Sequence, residues 1–208
     1  TVTPVLPGQD ISLDGADFWY MGAGTERAQQ AALADFARFG PAVKAAAEAD
    51  GTMLFAGTAM ELLGETITAV DGTVHDGIAL AAFTTVQGKR RMVEDVYGAT
   101  DLYPEPVVGF MNKWGVSTGV ETPLLKSVSL GYGNEGERTP EGFHWRNVFA
   151  SELTGPILVK NSRLLETVAA AILARRGAEL PAERPADPYA EAGYAITAEH
   201  LRLRAQGQ

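Results

Sequence analysis

The segment Met53–Gly64 has the form of a nucleophile elbow that carries no nucleophile. A short apolar run ends in small residues and a helical pattern follows at once, which is how many α/β enzymes present a catalytic Ser or Cys at a sharp bend. The bend needs small neighbours because its backbone is strained and the helix packs closely. Here the bend holds Gly57 followed by Thr58, and the chain has no cysteine. The segment predicts the scaffold of a catalyst whose chemistry has been removed.

The amino-acid composition of the chain excludes several classes of function. The 208 residues, 46% hydrophobic and 21% charged, are typical of one soluble globular domain. The formal net charge of −9 argues against a nucleic-acid partner. The absence of cysteine excludes disulfides and thiolate metal ligands, and three histidines without paired spacing predict no metal site. No apolar stretch approaches the roughly 20 residues that a membrane-spanning helix needs.

The elements that must position the elbow begin with a βαβ pattern. Asp17–Met21 is an apolar run rich in strand-forming residues, closed by Gly22-Ala23-Gly24. Thr25 is a predicted N-cap of the helix that follows, and a second helix is predicted over Pro41–Asp50. The strand Thr52–Ala56 then leads into the elbow. This alternation predicts a parallel sheet with helices on both faces.

The middle of the chain has a different pattern. Short strand-like runs are separated by Gly, Pro and Asp, which predicts hairpins or a meander; they are Ile78–Val86, Arg91–Tyr97, Val107–Asn112 and Ser127–Tyr132. Phe143–Leu153 is predicted as one further strand, and Asn161 as the cap of a helix that ends at Gly177.

The C-terminal part is predicted as an appendage. Ala178–Pro188 is rich in Pro and Ala and is interpreted as a linker. A last helix is predicted over Tyr189–Leu203. We therefore expect a domain over residues 1–177 and a linker with a helical tail over 178–208.

Four stretches in order resemble class I glutamine amidotransferases of the cobyric acid synthase type, and among them the glutaminase subunit of lipid II isoglutaminyl synthase. The four stretches, which extend over most of the chain, are Asp17–Arg27, Gly57-Thr-Ala-Met-Glu-Leu-Leu-Gly64, Val108–Asn112 with Leu130–Gly136, and Arg146–Asn161. The resemblance implies a flavodoxin-like three-layer α/β sandwich, with a mostly parallel sheet and an added antiparallel meander. The family begins with a strand and a loop before the first of these stretches, and we expect this sequence to lack them.

The resemblance also assigns catalytic positions. It places the family's cysteine nucleophile at Gly57 and its histidine at Thr154. Glutamine hydrolysis needs a thiolate, a base that then protonates the leaving ammonia, and backbone N–H groups for the oxyanion. Gly57 has no side chain, and a threonine at 154 cannot act as a base near neutral pH. We expect no glutaminase activity and no cofactor.

Three remnants of the family's pocket are candidate ligand-binding groups. Gly22, Ala23 and Gly24 form a turn whose free N–H groups would bind an anion, although a tight turn that needs only small residues is as good an interpretation. Thr58 adjoins the bend. Arg91 resembles the arginine that holds the glutamine carboxylate, with Arg90 as an alternative and a solvated basic surface as the simpler explanation.

Other candidate residues have plainer interpretations. Glu61 matches a family glutamine at the start of the elbow helix and is a further remnant that could bind a ligand, with an ordinary exposed helix residue as the plainer interpretation. Trp114 is expected in a loop, where an exposed indole would be a candidate partner contact. His144 lies ten residues before Thr154, about 30 Å away in an extended strand, and is expected to be structural.

Two functions from different classes follow. The first is a catalytically degenerate subunit in the cytoplasm that binds or regulates a Mur-ligase-like, ATP-dependent synthetase, in cell-wall precursor amidation or a related pathway. The second is an active enzyme of different mechanism, or a protein that binds glutamine or another small anion in the old pocket. Its support is the glycine turn with the basic segment Lys89–Arg91.

Overall fold

The computed structural model describes residues 1–10, 12–13, 15–182 and 187–207. The strands are β1 Phe18–Met21, β2 Thr52–Ala56, β3 Thr66–Thr68, β4 Val74–Asp76, β5 Thr84–Ala99, β6 Val107–Thr118, β7 Ser127–Leu130, β8 Phe143–Trp145, β9 Val148–Ser151 and β10 Leu153–Thr154. The helices are α1 Glu26–Ala37, α2 Gly40–Glu48, α3 Ile157–Lys160, α4 Ser162–Arg175 and α5 Pro188–Ala205, with a 3-10 helix over Gly57–Leu63. None of these helices is long and apolar enough to cross a membrane.

A small sheet carries the elbow. Its order is β1-β2-β9-β8, with β1, β2 and β9 parallel and β8 antiparallel to β9. The side chains of β2 alternate between two helical layers: Met53 packs in one cluster with Val43 of α2, and Leu54 packs in another with Leu164 of α4. This three-layer α/β arrangement confirms the predicted fold class.

The second sheet is the predicted meander, and it is larger than the parallel sheet. Its order is β10-β6-β5-β3-β4, with β7 paired to β5. Strands β5 and β6 form a long antiparallel ribbon with a bulge between Gln87 and Met92. The predicted strands Ile78–Val86 and Arg91–Tyr97 are wrong in their bounds, because the bulge lets one strand continue through the polar segment that separates them.

Helix α1 begins as the sequence predicts. Thr25 is the N-cap, and its side chain accepts a hydrogen bond from the Ala28 N–H at 3.1 Å. Asn161 also precedes a helix, but its side chain caps nothing. Its side-chain oxygen instead accepts from the Val108 N–H at 2.8 Å. Its side-chain nitrogen donates to the Val108 carbonyl at 2.8 Å and to the Ile157 carbonyl at 2.9 Å. Asn161 is thus the N-cap residue of α4, as predicted, but its side chain makes no capping bond because it ties α3 and α4 to β6.

The predicted strand Phe143–Leu153 is also wrong. It is a hairpin of β8 and β9 followed by β10, and Arg146 turns the chain with a φ of +52°. The Asn147 side chain donates to the Asp50 carbonyl at 2.9 Å, which fixes this turn against the end of α2.

The last predicted helix is present as α5. It lies on the meander, where Arg204 pairs with Glu94 at 2.8 Å and the Tyr194 hydroxyl donates to the Pro106 carbonyl. Residues 183–186 of the predicted linker are outside the described residues.

Candidate functional site

The elbow forms where the buried strand β2 ends at Gly57. Gly57 has a φ of +63°, the left-handed region that favours glycine. A Cβ at this position would lie 2.5 Å from the Ala23 Cβ and 3.0 Å from the Ala23 Cα. It would also lie 3.7 Å from the Thr154 Cγ2. The methyl group of Ala23 therefore stands where a side chain at the bend would begin.

The glycine turn faces the elbow but does not leave all its amides free. The Thr58 hydroxyl donates a hydrogen bond to the Gly24 carbonyl at 3.1 Å. The same hydroxyl oxygen accepts a hydrogen bond from the Gly24 N–H at 3.4 Å. This N–H is one of the groups that the sequence predicted as free to bind an anion. Thr58 is thereby tied to the turn and has no general base within hydrogen-bond distance.

A cavity of about 230 Å³ opens between the two sheets at this point. It is lined by Ala23, Gly24, Thr25, Glu26, Gly57, Thr58, Arg91, Asn112, Lys113, Glu152 and Thr154. The structure thus brings together most of the residues that the sequence singles out. Gly22 is not among the lining residues and lies against the Tyr20 ring instead.

Arg91 reaches the cavity from the bulge in β5. Its guanidinium donates to the Asn112 Oδ1 at 2.6 Å, pairs with Glu26 at 3.3 Å, and lies 4.7 Å from the centre of the Trp114 ring. The alternative Arg90 is exposed and does not line the cavity. The prediction of Trp114 as an exposed loop residue is wrong, because it is a half-buried residue of β6 beneath Arg91.

Thr154 completes the wall opposite the glycine turn. Its hydroxyl donates to the Phe110 carbonyl at 3.2 Å, across the β10–β6 pairing. No histidine of the described chain lines the cavity. His144 packs on the Phe149 ring at 4.9 Å, and burial lowers the pKa of its imidazole. Nor do the described residues contain a group of three or more acidic or histidine side chains that is placed to hold a metal.

The floor of the cavity carries an ion pair that sequence reasoning does not find. Lys113 from the inner face of β6 pairs with Glu152, which lies between β9 and β10. The two side chains are only 2% and 1% exposed. The Lys113 ammonium also lies 3.4 Å from the Asn134 carbonyl. The sequence held one indication of this pair, because both residues lie in or next to the stretches that resemble the family. The apolar pattern around Lys113 and Glu152, however, does not predict that either charged side chain is buried.

Glu61 lies behind this pair, and its predicted exposure is wrong. It is 1% exposed, because the 3-10 helix packs between the two sheets. Its Oε2 accepts hydrogen bonds from Gln29 at 2.7 Å and Gln87 at 3.1 Å. A Cβ on Gly115 would lie 2.5 Å from the Glu61 Oε1, so a larger residue there would displace the Glu61 carboxyl group.

The charge state of the floor follows from burial. Desolvation, and then the nearby charge of Glu152, raises the pKa of Glu61 to about 8. Glu61 is therefore mostly protonated at neutral pH, which avoids a second negative charge beside Glu152. Burial likewise raises the pKa of Glu141 to about 7, although Glu141 accepts hydrogen bonds from the Ser151 hydroxyl and the Glu152 N–H.

Most of the chain is similar in sequence to proteins of one known family. Residues 2–162 match the profile of the CobB/CobQ-like glutamine amidotransferase domain. The chain is 29% identical over 176 residues to the GatD subunit of the glutamine-hydrolysing lipid II isoglutaminyl synthase of Staphylococcus aureus, covering 85% of this chain and 72% of that subunit. It is 27% identical to the GatD subunit of Streptococcus pneumoniae, covering 79% of this chain and 64% of that one.

A solved structure of a glutamine amidotransferase from Thermotoga maritima aligns with 95% of this chain and 81% of its own, at 12% identity and a TM-score of 0.43. The profile match extends over most of the chain, from the segment before β1 to the start of α4. The chain belongs to the CobB/CobQ-like glutamine amidotransferase family.

Proposed function

We propose that this chain is a catalytically degenerate glutamine amidotransferase subunit that works by binding a partner and not by hydrolysing glutamine. The observation that carries the proposal is the closed elbow. A Cβ at Gly57 would lie 2.5 Å from the Ala23 Cβ, so the space from which a thiol would project is taken by a methyl group.

The surrounding residues offer no replacement chemistry. A substitute nucleophile needs a base within hydrogen-bond reach. The Thr58 hydroxyl bonds to the backbone of Gly24, and the Thr154 hydroxyl donates to the Phe110 carbonyl. The two carboxylates that line the cavity are both paired with cations, Glu152 with Lys113 and Glu26 with Arg91. Neither threonine is therefore activated.

The partner we propose is a Mur-ligase-like synthetase in the cytoplasm that activates a carboxylate with ATP. The support is that both curated relatives are named as subunits of a lipid II isoglutaminyl synthase. The reaction would be cell-wall precursor amidation or a related amidation, in which the synthetase takes free ammonia while this chain holds or regulates it.

Co-expression with the synthetase tests the proposal. A stable complex should elute as one peak in size-exclusion chromatography, and its amidation activity should depend on added ammonium and not on glutamine. Absence of a complex, or amidation driven by glutamine alone, would contradict the proposal.

The alternative, an active enzyme of different mechanism or a pocket for small anions, has weaker support. Arg91 already pairs with Glu26, the Gly24 N–H contacts Thr58, and Glu152 adds a negative charge to the floor. Saturable ammonia release that is abolished by Thr58→Ala or Thr154→Ala would favour this alternative.

A further inference from the structure

Helix α5 packs on the meander through one face and leaves apolar side chains exposed on the other. On the inner face, the Tyr194 hydroxyl donates to the Pro106 carbonyl at 2.8 Å, and Leu201 is buried. On the outer face, Tyr189 and Ile196 are 89% and 72% exposed. Exposed apolar residues that are grouped on one face of a helix indicate an interaction surface more strongly than scattered ones do.

The spacing on the outer face is that of a helix that pairs with another helix. Tyr189, Ile196 and the half-buried Leu203 recur every seven residues. Ala192 follows Tyr189 by three residues, so these side chains occupy the first and fourth positions of a heptad. Residues at these two positions form the seam between two paired helices. The outer face of α5 is therefore suited to another helix.

Small side chains beside Ile196 leave room for that second helix. Gly193 and Ala195 are exposed and lie on either side of Ile196. The distance between two packed helices depends on the side chains at the contact, so small ones allow a close approach. The seam from Tyr189 to Leu203 is about 21 Å long at the rise of an α-helix.

The charges beside the seam match an antiparallel copy of the same helix. Glu191 is exposed in the first turn of α5, and Arg202 lies in the last turn. Arg202 bonds to Glu199 through two of its N–H groups and to Gln206 through a third, which leaves two of the five guanidinium donors. In an antiparallel pair centred on Ile196, Glu191 of each copy lies beside Arg202 of the other, and twofold symmetry repeats this contact. The surface thus complements itself.

We propose that α5 is a self-association surface through which two copies of this chain form an antiparallel dimer, with Ile196 at the twofold axis. The dimer packs Tyr189 of each copy against Leu203 of the other and pairs Glu191 with Arg202. The inference is independent of the proposed function, because none of the α5 residues lines the cavity beside the elbow.

Sedimentation velocity of the full chain tests the dimer. Over about a hundredfold range of concentration, the wild type should change from monomer to dimer. Ile196→Glu places two like charges at the axis, and we expect the dissociation constant to rise at least about tenfold. The matched control Val74→Glu adds the same charge at an exposed valine of β4 and should associate as the wild type does. A monomer at every concentration, or a dimer that Ile196→Glu leaves intact, would overturn the proposal.

Single cysteines report which residues meet, because the chain has no cysteine of its own. Under mild oxidation Ile196→Cys should form a disulfide-linked dimer, since a disulfide joins Cα atoms up to roughly 7 Å apart and the axis brings the two residues together. Tyr189→Cys should not link to itself, because its two copies lie about 21 Å apart along the seam. A mixture of Tyr189→Cys and Leu203→Cys should give the linked pair.

Two results of the cysteine experiment would overturn the arrangement. One is linkage of Tyr189→Cys to itself, which requires parallel helices. The other is the absence of linkage in Ile196→Cys while circular dichroism shows the helix content of the wild type.

Addition of the synthetase separates this surface from the interface of the proposed function. The dimer should persist in the complex, which light scattering would show as two copies of each subunit. A complex with one copy of this chain, whose formation Ile196→Glu prevents, would assign the surface to the synthetase and overturn the dimer. A chain that dimerises and binds no synthetase would contradict the proposed function alone.

Discussion

The wall and the floor of one cavity have opposite characters in this chain. The wall, formed by the glycine turn and the elbow, has small side chains and no ionisable group at Gly57 and Thr154, the two positions that the family resemblance predicts as catalytic. The floor, formed by Lys113 and Glu152 with Glu61 behind them, is nearly fully buried and carries three ionisable groups. Under the proposed function, the pocket has lost its nucleophile and kept these buried ionisable groups.

If the proposed function is correct, the difference means that a family pocket can lose its catalytic groups without becoming apolar. At the wall, Ala23 and Gly57 fit each other, because the methyl of one fills the space that the other leaves. At the floor, Lys113 neutralises Glu152, and protonation of Glu61 removes a second negative charge. In each region two residues fit each other, so we expect one substitution to lower the stability of the protein and a second, at the partner residue, to restore it.

Removing the buried ion pair at the floor of the cavity should lower the stability of the protein most. Lys113→Met leaves the Glu152 carboxylate buried without its counter-ion, and we expect the free energy of unfolding to fall by about 3–5 kcal/mol in urea denaturation. Adding Glu152→Leu should restore most of this loss. Lys126→Met, which breaks an exposed pair with Asp101, should change stability little. A loss in Lys113→Met no larger than in Lys126→Met would contradict the buried pair.

Adding a side chain at the elbow in the wall should lower the stability of the protein by an intermediate amount. Gly57→Ala introduces a Cβ in contact with Ala23, and we expect a loss of about 1–3 kcal/mol from the clash beyond the backbone strain. Gly155→Ala is the matched control, since Gly155 has a φ of +85° and a Cβ added there would meet nothing within 4 Å.

A second substitution, at Ala23, should restore the stability that Gly57→Ala loses through the clash. Ala23→Gly in the Gly57→Ala background should recover the clash component, as measured by urea denaturation. Equal losses in Gly57→Ala and Gly155→Ala would show that Ala23 does not close the elbow.

The smallest effect concerns the pH dependence of stability. The pKa of Glu61 is raised from 4.5 to about 8, so the folded state holds a proton that the unfolded state releases above pH 4.5. Its contribution is fully present below the unfolded pKa and is lost as pH rises through the folded pKa. Glu152, Gln29 and Gln87 are the groups that face it.

Glu61→Gln should remove this dependence. We expect the variant to lose less stability than the wild type between pH 5 and pH 9, by on the order of a kcal/mol or more. Urea denaturation at both pH values measures the change. Identical pH profiles would contradict a protonated Glu61, and the contribution of Glu141 should remain in both proteins.

The sequence predicts the parts of the fold that depend on local pattern. The strand β2, the cap at Thr25 and the last helix follow from apolar runs and capping residues. The hairpin at Arg146 and the continuous β5 depend on a positive φ and on a bulge, which the apolar pattern does not encode.

The same division holds for the site. The resemblance brings Gly57, Thr154 and Arg91 to attention, and all three line one cavity. Glu61, Lys113 and Glu152 are polar residues whose burial is decided by the packing of two sheets against each other. Sequence periodicity treats such residues as exposed, so the floor of the cavity becomes visible only in three dimensions.

Ammonia release from glutamine tests the central claim most directly. The purified chain, alone and with the proposed partner synthetase, should release no more ammonia than a protein-free control, because Gly57 has no side chain and the Thr154 hydroxyl bonds to a backbone carbonyl and not to a base. The variant Gly57→Cys/Ala23→Gly/Thr154→His shares the scaffold and provides the comparison in which the missing groups are present. Saturable release by the wild-type chain would contradict the account.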